Sequence, residues 1–277
     1  VSITAILAGT LCGSIGVYLE RMNLLTLSFT VAHAALAGAA LSILLNTNLE
    51  ITAFISGITA ATLVEIAHSR LHLDRELISM AFFSFSSALA LIVVYLTPSV
   101  TLTAQVAALV LWGSVLATTI SKIILLTLLL FSLLLYTLLF KRELNAILFD
   151  RKLAEAEGIN VTLHATILVT ITALSISLIL KLTGAFLVFA LLFNPTMGAI
   201  RFNIKKQPLL GGVLGALSGL VGVIISFRYD LPVGATISIS SSLILLISIL
   251  IATLRENYLR KKLITGIIKQ KSSVEFY

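Results

Sequence analysis

A chain of 277 residues with 58% hydrophobic and only 11% charged residues, at a mean hydropathy of +1.11, is not a soluble domain, because soluble chains carry about 25% charged residues. One cysteine, Cys12, excludes an internal disulfide and any Cys-rich metal cluster. The formal charge of +7 points to membrane topology rather than to a nucleic-acid partner.

Apolar runs long enough to cross a bilayer, about 17–25 residues, occupy 1–19, 24–46, 51–67, 77–97, 120–140, 163–181, 183–200, 209–227 and 233–254. The first lacks a basic leader and a following soluble domain, so it reads as a transmembrane helix rather than a signal peptide. The segment 102–118 is also apolar, with no charged loop before 120–140. It is expected to be a short or re-entrant helix that returns to the side it left. The expected fold is all-α: a polytopic transmembrane helical bundle of about nine spans, within roughly eight to ten. With the N-terminus outside, all but three of the 19 Lys and Arg fall on the cytoplasmic side, the exceptions being Lys122, Lys181 and Arg228. Making 102–118 a full crossing would place the later basic loops on the wrong side. Residues 1–277 are thus expected to form a single multi-pass domain of the cell membrane, surrounded by lipid, with 254–277 as a basic cytoplasmic tail.

Small residues recur at helical spacing. Gly9 and Gly13 form one pair, Ala34 and Gly38 another, and Gly211, Gly215 and Gly219 repeat every fourth residue with Gly212 and Gly222 nearby. Such spacing lets helices approach closely in lipid, where van der Waals contact drives association.

Ionisable or helix-breaking groups within apolar runs mark candidate ion-path residues. His33 sits in the middle of the second run, in SFTVAHAALAGAAL. A neutral imidazole there is either a metal ligand or a buried side chain bonded to a neighbouring helix. Glu65 lies near the inner end of the third run, with His68 and His72 at i+3 and i+7. That trio is able to bind metal, although Arg70 in its midst favours a solvated helix end. Glu76 opens the next run, where a carboxylate suits a helix start. Asp230, in RYDLP, is expected to cap the helix that follows. Asn194-Pro195-Thr196 interrupts the run 183–200, and proline removes a backbone donor, so a kink or break is expected there with Asn194 beside it. His164, at the start of a run, is expected at the interface.

The longest polar interruption is Lys141–Val161, KRELNAILFDRKLAEAEGINV. Asp150 is suited to cap a helix start and Gly158 to supply the left-handed residue that ends one. Between them RKLAEAE makes about two turns, roughly 11 Å. Phe149, Leu153 and Ala156 follow one another at i, i+4 and i+7, and are expected on one face. Arg151 and Glu155 form an i,i+4 ion pair. A chain that is otherwise almost all membrane has little use for such a helix unless something soluble docks on it. No G-x-x-x-x-G-K-[ST] phosphate loop, H-E-x-x-H zinc site or G-x-S-x-G elbow occurs. Few carboxylates lie at mid-membrane depth, which argues against a proton-coupled carrier.

Four pieces in order carry a resemblance that runs over nearly the whole chain: His33 followed by Ala34-Ala35-Leu36-Ala37-Gly38; LWGSVLATT, Leu111–Thr119; FDRKLAEAEGINV; and GAFLVFALLFNPTMGA followed by DLPVGATI. Together they resemble the membrane subunit of ABC importers of the zinc, manganese and iron type. The resemblance implies a homodimeric prokaryotic permease that binds no cofactor and catalyses no reaction itself. A divalent metal ion would be its cargo. Separate cytoplasmic ATPase subunits would drive it, docked on the coupling helix of Phe149, Asp150, Leu153, Ala156 and Gly158, and an extracytoplasmic protein would deliver the ion. It also implies an ion-path role, and metal contact, for His33. The sequence departs from the family pattern at Phe29, where an Asp is usual, at Ala32 in place of Ser and at Ala37 in place of Pro; Glu76 matches an acidic position by type alone. Two alternatives stand beside this reading. One is an ABC permease for a metal chelate of the siderophore or cobalamin type. The other is a stand-alone secondary ion carrier, which would leave the capped helix without a purpose.

Overall fold

The computed structural model describes residues 1–71, 73–96 and 119–274. Apolar runs become helices because a bilayer offers no partner to free backbone N–H and C=O groups. In chain order these are α1 (Ser2–Arg21), α2 (Leu25–Leu44), α3 (Leu49–Leu71), α4 (Arg75–Tyr95), α5 (Ile120–Leu139), α6 (Lys141–Phe149), α7 (Arg151–Ala156), α8 (Val161–Ala199), a 3-10 turn at Ile204–Lys206, α9 (Gln207–Tyr229) and α10 (Val233–Val274). Among the described residues, 8 helical stretches are long and apolar enough to cross a membrane, and Leu187–Ala199 is a shorter apolar piece. The expected re-entrant segment 102–118 lies outside the described residues, and so does LWGSVLATT apart from Thr119.

Tight turns join the helices. Asn23 and Asn46 adopt left-handed backbone at φ 55 and 52 between α1 and α2 and between α2 and α3, a region that Asn tolerates better than most residues. The Asp74 carboxylate accepts from the Glu76 N–H at 3.0 Å, and the Asn160 side chain accepts from the Leu163 N–H at 3.0 Å, capping α4 and α8.

The small residues face one another. α1 and α9 run antiparallel so that Gly9 meets Gly215, Gly13 meets Gly211 and Ala5 meets Gly219. A Cβ at Gly13 would run into the carbonyl of Gly211, and one at Gly215 into the carbonyl of Gly9. Gly38 on α2 likewise lies against Thr52 and Ser56 of α3.

The sequence suggests two spans, 163–181 and 183–200, where helical backbone runs over the whole of α8. A straight helix of 39 residues would measure about 58 Å. α8 is not straight. Its first half starts beside Arg151 and Leu24 and passes Leu27 and Val31 with Val169 and Ala173. Its second half sets Phe189 against His33, Phe193 against Phe29, and Thr196 against Gly16. The halves therefore run in opposite directions past α2, and the chain doubles back between Ala173 and Phe189. Asn194-Pro195-Thr196 lies inside the second half without ending it. The Thr196 hydroxyl donates to the Leu192 carbonyl at 2.7 Å, and the Asn194 amide donates to Ser241 at 2.8 Å and Ser242 at 3.1 Å on α10.

The bundle has two chemically distinct ends. At one, Lys122 at the start of α5 pairs with Glu50 at the start of α3, at 3.8 Å. At the other lie Arg21, Arg75, Arg151 and the α6–α7 segment. This basic end is the expected cytoplasmic one. Asp230 does not cap α10: it sits in left-handed backbone at φ 51 as the C-cap of α9, with its N–H on the Ser226 carbonyl. The expected basic tail continues α10, whose helix extends to Val274.

Candidate functional site

The polar stretch Lys141–Val161 folds as two helices with one extended residue between them. α6 buries Leu144, Ile147 and Leu148 and ends at Phe149. Asp150 is extended, at φ −158 and ψ 121, and its carboxylate accepts from the Leu153 N–H at 3.0 Å to start α7. Phe149 therefore belongs to α6, and the expected single helical face of Phe149, Leu153 and Ala156 is divided between two helices, because the extended Asp150 turns the axis. All three side chains are nevertheless exposed, Phe149 at 67% and Leu153 at 50%, while Ala154 on the opposite side of α7 is buried. At the far end the Gly158 N–H bonds the Glu155 carbonyl at 3.1 Å and the Ile159 N–H bonds the Ala154 carbonyl at 3.1 Å. With Gly158 at φ 85, this is a complete Schellman cap. The Arg151–Glu155 pair forms at 3.1 Å.

Two features of this region have no sequence signal. Arg151 also donates through Nη1 to the carbonyl of Met22, at 2.9 Å. His164, in the first turn of α8, is buried: its Nδ1 hydrogen-bonds the Tyr136 hydroxyl and its ring meets Phe140 edge-on at 5.4 Å, tying the end of α5 to the start of α8. Both partners lie far away in sequence, so no local pattern announces them.

The ion-path candidates are spread over two levels. His33 is half-buried, with Nδ1 donating to the Phe29 carbonyl one turn back at 3.1 Å. Its ring stacks on Phe189 at 4.9 Å and meets Phe83 edge-on at 4.3 Å. Phe29 stacks on Phe193 at 4.1 Å and Phe189 at 5.1 Å. The imidazole thus sits among phenyl rings from α2, α4 and the second half of α8. Glu65 and Glu76 are at the basic end instead. Glu65 accepts from Arg75 Nη2 at 2.8 Å. Glu76, with Arg21, His68, Asp150 and Glu155, lines a wide recess of ≈ 1050 Å³. His68 bonds the Leu73 carbonyl at 2.7 Å, and His72 lies outside the described residues. Asn194 is engaged with α10. Among the described residues no group of three His, Cys, Asp or Glu is placed to hold a metal ion.

A helical membrane bundle without a phosphate loop, presenting a short capped helix with Phe149 and Leu153 exposed at its basic end, has the build of a transport permease. Residues 1–252 match the family model described as the ABC 3 transport family, and the chain belongs to that family. It is 28% identical over 263 residues, covering 94% of this chain and 92% of the relative, to "Manganese import system permease protein ScaB" of Streptococcus gordonii. It is 25% identical over 249 residues, covering 89% and 94%, to "High-affinity zinc uptake system membrane protein ZnuB" of Haemophilus influenzae. Its fold is similar to that of a chain in the solved structure "PsaBC from Streptococcus pneumoniae in complex with Fab", with a TM-score of 0.76, 24% identity and coverage of 89% and 88%. It is also similar to "An inward-facing conformation of a putative metal-chelate type ABC transporter", with a TM-score of 0.71, 17% identity and coverage of 90% and 84%.

Proposed function

We propose that this chain is the membrane-spanning permease subunit of a bacterial ABC importer, moving a divalent metal ion of the manganese, zinc or iron group into the cell. The observation that carries this reading is α7: a helix capped at both ends, with Leu153 exposed on it and Phe149 exposed beside it, on a family member with no nucleotide-binding motif. Energy has to come from a separate ATPase, and the exposed pair is the surface on which it docks. Two copies of the chain enclose the path, and an extracytoplasmic protein delivers the ion. His33 faces that path: Nδ1–H is held by Phe29, which leaves Nε2, the acceptor nitrogen of the neutral ring, for a passing cation.

The test is ATP hydrolysis and uptake by the reconstituted complex, with ATPase and binding protein present, across Mn²⁺, Zn²⁺ and Fe²⁺. One of these ions should stimulate both activities. His33→Ala should lower uptake by about tenfold or more, the scale on which metal contacts are lost, with dimer assembly intact. Uptake at the wild-type rate would remove His33 from the path, and stimulation by none of the three ions would overturn the cargo.

A further inference from the structure

The placement of Arg151 is not explained by the helix that carries it. It is the first residue of α7, where the helix dipole disfavours a cation, and it precedes Glu155, the weaker order for an i,i+4 pair. Its side chain is nevertheless largely buried, and its guanidinium divides between two partners. Nε holds Glu155 at 3.1 Å within α7, and Nη1 holds the Met22 carbonyl at 2.9 Å, 129 residues away in sequence.

Met22 is the C-cap of α1 and is fully buried. Asn23 beside it is left-handed, and α2 with Phe29 and His33 begins two residues later. The same turn is also held through Arg21. Arg21 donates Nε and Nη2 to the Gln207 side-chain oxygen at 3.1 and 2.9 Å. Gln207, fully buried, donates its Nε2 to the carbonyls of Ile200 and Phe202 at 2.8 and 2.9 Å. A cavity of ≈ 230 Å³ bounded by Leu24, Glu65, Arg75, Arg151 and Thr162 adjoins this joint, so α7 reaches the turn through a side chain and not through a close-packed wall.

We propose that Arg151 is the positioning strut that carries displacement of α7 into the α1–α2 turn, and so into the helix bearing His33. The proposal rests on α7 being the ATPase-docking helix. Packed side chains and hydrogen-bond networks with discrete arrangements are a physical means of coupling distant sites. The planar guanidinium supplies one by bonding two acceptors at once, which an ammonium on a flexible stem does not reproduce. Arg21 and Gln207 form the opposing anchor, so a push at Met22 tilts α2 against the held ends of α8 and α9.

The experiment uses the full complex in proteoliposomes with the ion that the wild type transports, Mn²⁺ or Zn²⁺. It reads three quantities: ATPase subunits retained on purification, ATP hydrolysed, and ions moved per ATP. Arg151→Gln should retain the ATPase yet move about tenfold fewer ions per ATP, the equivalent of one charge-assisted hydrogen bond. Arg151→Lys should recover part of that loss, since it reaches one acceptor. Glu155→Gln, which leaves the Met22 bond in place, should lose less than either. An unchanged ion-to-ATP ratio in Arg151→Gln overturns the strut. Loss of the ATPase from Arg151→Gln in parallel with Phe149→Asp also overturns it and makes Arg151 a docking residue. A complex that keeps its ATPase in Phe149→Asp and Leu153→Asp instead removes the docking reading itself. If Arg151→Gln does not assemble, Arg151→Lys decides: a wild-type ion-to-ATP ratio there rejects the strut.

Discussion

Along the α1–α9 seam, glycines bring two backbones into direct contact over Gly9–Gly215 and Gly13–Gly211. At the joint between α7 and the α1–α2 turn, a single arginine side chain spans the gap beside a cavity. The seam has no room for one added carbon, so α1 and α9 move as a unit or not at all. The joint has space around it and depends on a few polar bonds, so it can shift by small amounts without unpacking a core. Under the proposed drive from a docked ATPase the two have different parts: the rigid pair holds as an anchor, and the compliant joint is where a tilt of α2 enters.

The harshest test of this contrast is at the seam. Gly13→Leu should prevent accumulation of folded protein, because the Gly211 carbonyl cannot retreat and overpacking costs about 3 kcal/mol or more. Val213→Leu, on an exposed part of α9, should stay within about 0.5 kcal/mol of wild type. Membrane levels and thermal unfolding of the purified chain decide it, and a well-folded Gly13→Leu would dissolve the distinction. At the other region, Leu153→Asp should weaken ATPase association about 30-fold, the effect of removing a hot-spot contact of about 2 kcal/mol, with the melting temperature unmoved. A parallel fall in melting temperature would mean that Leu153 supports the fold rather than a partner.

Gly158→Val separates space from conformation. Nothing lies within 4 Å of a Cβ there, so the cost is that of left-handed backbone at φ 85, about 1–2 kcal/mol. Gly158→Asn should recover most of it, and equal damage from both would point to a clash with the docked ATPase. The smallest effect is expected of Asn194→Ala. Its bonds to Ser241 and Ser242 join two helices already packed in lipid, where such bonds average about 0.6 kcal/mol each. A lowering of the melting temperature as large as that for Gly158→Val would show that α8 and α10 rely on polar bonds more than on packing.

Much of this protein is legible locally. The apolar runs, the facing small residues, the Asp150 and Gly158 caps and the Arg151–Glu155 pair each depend on a few neighbouring residues, and each is found where the pattern puts it. The errors come where a short range misleads. Phe149 has the right spacing for the face of Leu153 but sits beyond an extended Asp150. Asp230 closes the helix before it instead of opening the one after.

Composition and period alone determine that the chain is a membrane-embedded helical bundle with a short capped helix in its longest polar interruption, because burial in lipid and helix capping are local requirements. Only the tertiary structure decides that His33 lies among the rings of Phe29, Phe83, Phe189 and Phe193, and that Arg151 reaches Met22. Each of these joins residues distant in sequence, and the energy that places them is packing against partners that no local pattern encodes.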